Sequence, residues 1–361
     1  MLYPIWNSSY DRPDHPPDDP RSGPVPAEGD TTAGETPVIL GRAPFRISFA
    51  GGGTDLRAFT QEHPGAVLST SIDKYMYIML HPYFHDKIRI KYSKLEDVAR
   101  VEDIRHPLVR ECLKRFRITK GIEIASIADV PARSGLGSSS AFTVCLMQIL
   151  SRYKGRPLSK KSLAEEASRI EIDVLREPIG KQDQYASSFG GMNFFRFERD
   201  GSVHVEPLRL SASARESLEK SLLLFFVGGE RRAGRILARV EKAAERRPAR
   251  EALRQMAGLA EALRAALVRG RTGEMAGILD AGWRLKKSLT PSISTPRIDE
   301  LYERALRSGA GGGKLLGAGG GGFLLFSCPV PEQGRLRRAL GLRELQFRFE
   351  TGGATILHVD P

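Results

Sequence analysis

The sequence predicts an α+β protein of two domains, with a ligand site in the cleft between them. Strand-like segments are followed by helical segments and again by strands, and this order occurs in each half of the chain, as is typical of two α+β units. Three glycine-rich segments, 51–53, 135–137 and 317–322, adjoin predicted strands or helices. In a two-domain protein all three can face one cleft, where ligand sites often form.

The composition is that of a soluble globular protein. Of the 361 residues, 41% are hydrophobic and 27% are charged, and no apolar run is long enough to cross a bilayer. The N-terminus lacks the basic-then-apolar pattern of a signal peptide. Cys112, Cys145 and Cys328 are far apart and have no metal-ligand spacing, so we expect reduced core thiols in a cytoplasmic protein.

The net charge of +12 does not indicate a nucleic-acid partner. The basic residues are scattered, without interleaved aromatic residues or a recognisable nucleic-acid motif. Phosphorylated small molecules explain the same charge balance. We therefore expect small-molecule partners, with neither nucleic acid nor membrane, and leave a homodimer open.

Residues 1–38 differ from the rest of the chain. They contain eight of the 22 prolines and an excess of acidic residues, and such a stretch cannot bury enough apolar surface to offset its ordering entropy. We expect a disordered tail, or residues translated from a wrongly placed start codon. The folded chain then divides into predicted domains at 39–208 and 209–361.

In the first half, alternating apolar residues predict strands, and apolar residues at helical spacing predict helices. The strand at 45–50 leads into the glycine triplet, and Ser159 is placed to cap a helix from 160 to about 176. The other predicted strands are 66–80, 87–92, 121–127, 189–197 and 203–208, and a short helix is predicted at 108–116.

The second half opens with an apolar strand at 222–227. Pro248 predicts a break between two of the helices that follow, because proline removes a backbone donor and clashes inside a helix. Helices are predicted at about 233–247, 249–269, 273–288 and 297–308, and strands at 323–327 and 346–351.

Residues 131–141 are predicted to bind a nucleotide phosphate. Two glycines precede three serines and the apolar pattern of a helix. Glycine allows a ligand to approach bare N–H groups, and the first amides of a helix favour an anion. Serines there can cap the helix or ligate Mg²⁺, so an ordinary capped helix is the alternative. The predicted nucleotide-binding residues are Pro131, Arg133, Ser134, Gly135, Leu136, Gly137, Ser138, Ser139 and Ser140.

Three motifs in order carry a resemblance to a known family. They are residues 43–55 (Ala-Pro-Phe-Arg-Ile-Ser-Phe-Ala-Gly-Gly-Gly-Thr-Asp), residues 131–141, and residues 314–323 (Lys-Leu-Leu-Gly-Ala-Gly-Gly-Gly-Gly-Phe). Together they resemble the GHMP kinases, the superfamily of galacto-, homoserine, mevalonate and phosphomevalonate kinases. Within it, residues 42–55 and Gln182-Asp183-Gln184 look like those of the D-glycero-D-manno-heptose 7-phosphate kinases.

The resemblance implies a fold, an activity and cofactors. The fold would join an N-terminal ribosomal-S5-like domain to a C-terminal ferredoxin-like α/β domain, with the active site between them. The reaction would be phosphorylation of the anomeric hydroxyl of the heptose 7-phosphate to the 1,7-bisphosphate, with ATP and Mg²⁺. Another anomeric sugar kinase, such as a fucokinase-like enzyme, and a sensor that binds ATP and sugar without turnover are the alternatives.

The resemblance also implies roles for four polar residues. Asp183 matches the catalytic aspartate, and Arg46 falls where relatives place a Lys or Arg beside it. Ser139 and Glu171 match the residues that hold Mg²⁺, a cation that prefers oxygen ligands. Taken alone, these residues also fit blander roles: Glu171 as an exposed helical acid, Asp183 as a helix cap and Arg46 as a surface arginine.

For the sugar, the resemblance implies contacts from Gly53, Thr54 and Asp55. The alternative for Asp55 is the cap of a helix over 56–61. In the third motif, Gly319 and Gly320 would let the backbone pack against bound ligands, unless the motif is only a tight connection between strands. For the 7-phosphate, Arg133 is favoured among seven candidate cations: Arg89, Lys91, Arg133, Arg231, Arg232, Lys286 and Lys287.

Overall fold

The computed structural model describes residues 37–228 and 233–360. The predicted tail therefore lies almost entirely outside the described residues, as do Arg231 and Arg232. The strands are β1 (Ile39–Ala50), β2 (Gly65–Pro82), β3 (Ile88–Lys91), β4 (Leu95–Val98), β5 (Ile122–Ala128), β6 (Met192–Phe197), β7 (Val203–Pro207), β8 (Leu222–Gly228), β9 (Gly312–Leu315), β10 (Gly322–Ser327), β11 (Arg343–Glu344), β12 (Phe349–Glu350) and β13 (Thr355–Val359). The α-helices are α1 (Arg57–Thr60), α2 (Pro107–Arg115), α3 (Ser138–Tyr153), α4 (Lys160–Ser168), α5 (Gln182–Phe189), α6 (Ala212–Ser221), α7 (Ala233–Ala244), α8 (Arg247–Val268), α9 (Met275–Leu289), α10 (Pro296–Arg307) and α11 (Gln333–Leu340).

The first sheet has nine strands. Six follow the order β13-β1-β2-β5-β3-β4, while β6 and β12 pair with β2, and β7 pairs with β6. The pair β3–β5 is parallel, and the other pairs are antiparallel. Strand β2 is 18 residues long and shifts register against β1, as a bulged strand does when it bends. Its two ends can therefore pair with different neighbours.

The second sheet has four antiparallel strands in the order β11-β8-β10-β9. Helices α8 and α9 pack on each other, and both also contact β1 of the first sheet. One buried cluster consequently contains residues from both halves, among them Ile47, Leu146, Leu263 and Leu325. A second cluster surrounds Trp283 beneath the second sheet. The two halves thus share apolar core along their junction.

The α+β class with two sheets is confirmed, and Ser159 caps α4 as predicted by accepting a hydrogen bond from the Ser162 amide at 3.1 Å. The break at Pro248 is also confirmed, although α8 already begins at Arg247, because proline is tolerated in the first turn. The three cysteines are buried and unpaired, as expected.

Other predicted elements need correction. The helix predicted to about residue 176 is α-helical only to Ser168 and continues as a π-helical turn, Arg169–Val174. The strand predicted at 346–351 shrinks to the two residues of β12. Helices α6 and α11 were not predicted. Strands β12 and β13 pair with the first sheet, an arrangement that the predicted division at 208/209 did not anticipate; that division stays a prediction.

Candidate active site

A cavity of about 1050 Å³ opens between the two halves. Its walls include β1, the loop before α3, the segment 176–183, the start of α7 and the loop between β9 and β10. All three glycine-rich motifs contribute residues to this wall. The predicted cleft therefore exists.

The loop before α3 presents open amides to the cavity. Gly137 precedes the helix with a left-handed backbone, φ 77°, and no side chain caps the helix N-terminus. The alternative of an ordinary capped helix is thus wrong, and the helix dipole and bare N–H groups favour an anion there. Of the predicted nucleotide-binding residues, Pro131, Arg133, Gly135, Gly137 and Ser138–Ser140 line the cavity, while Ser134 and Leu136 are buried behind it.

Arg46 and Asp183 form a bidentate pair at the base of this loop. The guanidinium donates from Nε and Nη2 to the two carboxylate oxygens at 2.7 and 2.8 Å, and from Nη1 to the Gly135 carbonyl at 2.7 Å. Arg46 is 3% exposed, which rules out a surface arginine. Asp183 lies in the first turn of α5, where it pairs with Arg46 instead of capping the helix. Such planar forks fix a carboxylate in position as well as in charge.

Glu171 lies in the π-helical turn, a feature often found at functional sites. It lines the cavity but is only 1% exposed, so the exposed-acid alternative is wrong. Its Oε2 accepts a hydrogen bond from the Ser140 hydroxyl at 2.9 Å, whereas the buried Oε1 has no hydrogen-bond partner. Burial raises the pKa of Glu171 to about 8. The structure therefore joins Ser140 to Glu171, while the predicted partner Ser139 is exposed at the cavity wall.

Asp55 is held between the first motif and α5. Its Oδ1 accepts from the Gly53 amide at 3.0 Å, and its Oδ2 accepts from the Gln182 amide at 3.1 Å. Burial raises the pKa of Asp55 to about 6. Asp55 is not the cap of α1, whose N-cap is Leu56 without a side-chain bond; it satisfies the first amide of α5 instead.

The structure does not bring Thr54 to the cavity. Its side chain is fully buried, and its hydroxyl donates to the Ala66 carbonyl and accepts from the Ala66 amide, both at 3.0 Å. Gly53 and Asp55 do line the cavity. Thr54 thus fixes the first motif to β2, and its predicted contact with sugar stays a prediction.

The third motif packs directly on the second. A Cβ placed on Gly317 would lie 2.4 Å from the Gly135 Cα, and one on Gly135 would lie 2.6 Å from the Leu316 carbonyl oxygen. The motif also connects β9 to β10, as in the alternative of a strand connection, while its packing against bound ligands stays a prediction. Its glycines face protein backbone here. Gly319 lines the cavity, whereas the Gly320 amide donates to the Ile293 carbonyl at 2.9 Å and Gly320 does not line it.

The candidate cations separate into two groups. Arg133 and Lys286 line the cavity. Arg89, Lys91 and Lys287 pair with Asp97, Glu123 and Asp299 away from it. Lys314, the first residue of the third motif, also lines the cavity and is 6% exposed. The motif itself was identified from the sequence, but Lys314 was not predicted to form part of the cavity wall.

One part of the cavity is aromatic. His106 stacks on Phe142 with ring centroids 5.0 Å apart, and Tyr92 meets His106 edge-on at 4.9 Å; all three line the cavity. Burial lowers the pKa of His106 to about 4, so the ring is neutral and its Nδ1 accepts from the Val109 amide. No motif signalled this surface, because its residues are far apart in the sequence.

Family comparisons agree with this geometry. The GHMP kinases N terminal domain matches residues 106–191, and the GHMP kinases C terminal domain matches residues 263–341. A curated relative, the D-glycero-alpha-D-manno-heptose 7-phosphate kinase of Campylobacter jejuni, is 30% identical over 315 residues, which cover 84% of this chain and 93% of the relative. The chain belongs to the GHMP kinase family.

Solved GHMP kinases share the fold. The crystal structure of a D-glycero-D-manno-heptose 1-phosphate kinase from Bacteroides thetaiotaomicron superposes with a TM-score of 0.73 at 26% identity. The superposition covers 90% of this chain and 100% of the other. A bifunctional fucokinase/GDP-fucose pyrophosphorylase of Arabidopsis thaliana is 26% identical over 82% of this chain and 30% of its own length. As a GHMP kinase, the chain is an ATP-dependent phosphotransferase.

Within residues 37–228 and 233–360, no helix has both the length and the apolar character needed to cross a bilayer.

Proposed function

We propose that this GHMP kinase is a sugar kinase that phosphorylates the anomeric hydroxyl of D-glycero-D-manno-heptose 7-phosphate to give the 1,7-bisphosphate. One observation carries the proposal: the Arg46–Asp183 pair, the open N-terminus of α3 and the buried carboxylate of Glu171 line a single cavity. Phosphoryl transfer needs these three things, namely an oriented hydroxyl, a phosphate cradle and a site for charge neutralisation.

ATP fits the cavity along the loop before α3. Its phosphates would meet the amides of residues 135–140, where the helix dipole favours negative charge. Its base would lie on the aromatic surface of Tyr92, His106 and Phe142, since flat π systems stack on one another.

Mg²⁺ fits the donor set at Glu171. A buried carboxylate oxygen without a hydrogen-bond partner, on a carboxylate bonded to the Ser140 hydroxyl, is chemistry suited to a hard cation. Among the described residues no group of three His, Cys, Asp or Glu side chains could hold a metal alone, and Mg²⁺ usually completes its shell with substrate phosphates and water. Glu171 with Ser139 or Ser140 would therefore hold the ion, which supplies charge neutralisation on the phosphates.

Asp183 is the proposed acceptor of the hydroxyl proton. As the anomeric oxygen bonds to the γ-phosphorus of ATP, the bond to the β-phosphate oxygen breaks, ADP leaves, and the proton passes to the Asp183 carboxylate. Arg46 would hold that carboxylate in place through its fork and stabilise charge on the transferred group. Asp55 would accept hydrogen bonds from ring hydroxyls of the sugar once it is ionised.

The heptose assignment rests on the relatives and on the cations. The Campylobacter jejuni relative carries that substrate in its name and spans nearly the whole chain. The fucokinase relative supports a second candidate, an anomeric kinase for an unphosphorylated sugar. The two buried lysines in the cavity wall favour a phosphorylated substrate over this rival.

The test is Mg²⁺-dependent ADP release with heptose 7-phosphate, mannose 6-phosphate, free heptose, fucose and galactose. We expect heptose 7-phosphate to be strongly preferred, with free heptose a poor substrate and the other sugars not turned over, and a loss of about 10²- to 10⁴-fold in kcat for Asp183→Asn. Asp86→Asn, at a carboxylate 82% exposed and outside the cavity, is the matched control. Preferred turnover of fucose or another free sugar would overturn the substrate, and ATP binding without any turnover would favour the sensor.

A further inference from the structure

Lys286 of α9 and Lys314 of β9 are buried lysines in the cavity wall. Lys286 is 9% exposed and Lys314 is 6% exposed. The Lys286 ammonium donates to the carbonyls of Leu315, at 3.2 Å, and Gly317. The Lys314 ammonium donates to the Phe49 carbonyl at 3.1 Å. An ammonium has three donors, so each lysine keeps at least one donor beyond these contacts.

The charge of these lysines is not balanced by a carboxylate among the described residues. Arg46 is paired with Asp183, Asp55 is bonded by Gln182, and Glu171 is bonded by Ser140. Burying a cation without a counter-charge is costly. Burial and the neighbouring Arg46 lower the pKa of Lys286 to about 7, and burial lowers the pKa of Lys314 well below its usual range. Within the described residues neither lysine thus has a carboxylate partner of its own.

The lysine pair lies beside the nucleotide loop and reaches it through the third motif. Lys286 holds the Gly317 carbonyl, and Gly317 packs against Gly135 of that loop. The lysines therefore belong to the third motif and its supporting helix, while the α3 amides and Arg133 belong to the second motif. The cavity therefore has two sets of anion donors on adjoining motifs, and a binding measurement with the nucleotide loop already filled separates an anion on the lysines from the phosphates of ATP.

We propose that Lys286 and Lys314 bind the phosphate that the sugar substrate already carries, and so select phosphorylated over free sugars. The proposal rests on the proposed function, a sugar-phosphate kinase. A phosphate monoester has close to two negative charges at neutral pH and three acceptor oxygens. Bound beside the two lysines, it would favour the ammonium form of both amines, and each ammonium has a donor beyond its backbone contacts. Lys91 and Lys287 do not compete for this role, because they pair with Glu123 and Asp299 outside the cavity.

The kinetic test compares two substrates in three variants. Lys286→Gln and Lys314→Gln remove a charge and keep a donor for the backbone carbonyls. Lys287→Gln makes the same change one residue away from Lys286, outside the cavity. In Lys286→Gln and Lys314→Gln we expect kcat/KM for heptose 7-phosphate to fall about 10- to 100-fold. In the same two variants kcat/KM for free heptose should stay within about twofold of the wild type. Lys287→Gln should leave kcat/KM unchanged for both sugars.

Two results would overturn the proposal. An equal loss for both sugars would mean that the lysines serve the transferred phosphoryl group or only the fold. Unchanged values for heptose 7-phosphate would mean that the existing phosphate binds elsewhere.

A binding measurement tests this anion subsite independently of whether the proposed function is correct. Inorganic phosphate is titrated calorimetrically into protein saturated with Mg²⁺ and a non-hydrolysable ATP analogue, which fills the nucleotide loop. Binding that is lost in Lys286→Gln and kept in Lys287→Gln supports the anion subsite even if no sugar phosphate is turned over. Phosphate binding that is the same in both variants, or absent from the wild type, overturns it.

Discussion

Arg46 connects three parts of the site through one side chain. Its fork fixes Asp183 of α5, its remaining nitrogen holds the Gly135 carbonyl, and its own amide donates to the Leu136 carbonyl at 3.1 Å. Strand β1, the loop before α3 and helix α5 are therefore fixed relative to one another by a buried residue. Lysine has the same charge but cannot make a planar fork.

We predict that Arg46→Lys lowers the free energy of unfolding by roughly 2 kcal/mol, since at least one buried hydrogen bond to a charged group is lost. Urea unfolding followed by circular dichroism measures this change. Arg89→Lys is the control, because Arg89 donates two hydrogen bonds to one oxygen of Asp97 at the surface, where such pairs contribute little. Equal losses in both variants would contradict the prediction.

Asp55 gives the chain a specific dependence on pH. Its pKa is raised from 3.8 to about 6 by burial, so its ionisation disfavours the folded state. This unfavourable contribution is absent below about pH 4, grows as the pH rises and is complete above about pH 6, with a full size of roughly 3 kcal/mol.

Asp55→Asn should therefore flatten the fall in unfolding free energy between pH 4 and pH 7 by about that amount. Urea titrations at several pH values measure the slope. Asp86→Asn, at an exposed carboxylate, should leave the slope of the wild type in place. Glu171, whose pKa is also raised by burial, should keep its own share of the fall, so a fall in Asp55→Asn as large as that of the wild type would contradict the prediction.

Sequence reasoning located the residues of this site better than their contacts. The neighbourhood of Arg46 and Asp183 was predicted correctly, because both lie in recognisable motifs. The hydrogen bond from Ser140 to Glu171 was not predicted. Which of the serines Ser138–Ser140 faces Glu171 depends on how the helix is rotated after Gly137, and the sequence does not give that rotation. Lys314 was overlooked because a lysine inside an apolar strand gives no sign, by itself, of which wall it faces.

At the scale of elements, the site depends on two irregularities. The π-helical turn after α4 carries Glu171 to the cavity wall, and a regular 3.6-residue pattern cannot reveal one widened turn. The contact between the second and third motifs brings two backbones together at Gly135 and Gly317. The glycine-rich composition predicted that another group approaches the backbone closely there. That this group is the backbone of the other motif is seen only in the structure.

We predict that Gly317→Ala destabilises the protein far more than Gly341→Ala. Both glycines have a left-handed backbone, with φ 70° and 59°, and an alanine there costs about 1–2 kcal/mol. At Gly341 the added methyl meets nothing within 4 Å, whereas at Gly317 it would overlap Gly135. The overlap should add at least about 2 kcal/mol and lower kcat.

Thermal unfolding and steady-state kinetics of the two glycine variants test this prediction. If Gly317→Ala behaves like Gly341→Ala in both measurements, the packing of the two motifs is not tight in solution.

At the scale of the whole molecule, the two halves share one apolar core, which the division at 208/209 did not foresee. Local patterns show where elements lie, but they do not show that β12 and β13 return to a sheet begun about three hundred residues earlier. Phe349 of β12 illustrates the consequence, because it is buried and meets Phe49 of β1 with ring centroids 6.2 Å apart.

We predict that Phe349→Ala costs about 3–5 kcal/mol and shifts the unfolding of both halves together. The tryptophans are Trp6 and Trp283, so in a Trp6→Phe background the fluorescence of Trp283 reports on the second half. Its transition should move with the far-ultraviolet circular dichroism. Phe84→Ala, at a side chain 97% exposed, should move neither, and a Trp283 transition that stays in place would show independent halves.

The return of β13 to the edge of β1 has a consequence for biosynthesis. A ribosome makes the chain from its N-terminal side, so β1 emerges well before its outer partner β13. Until then the nascent chain presents an open strand edge, which can pair with other chains. We therefore expect the first sheet to be completed only after β13 has been synthesised, with a nascent edge that is open until then to chaperones or to aggregation.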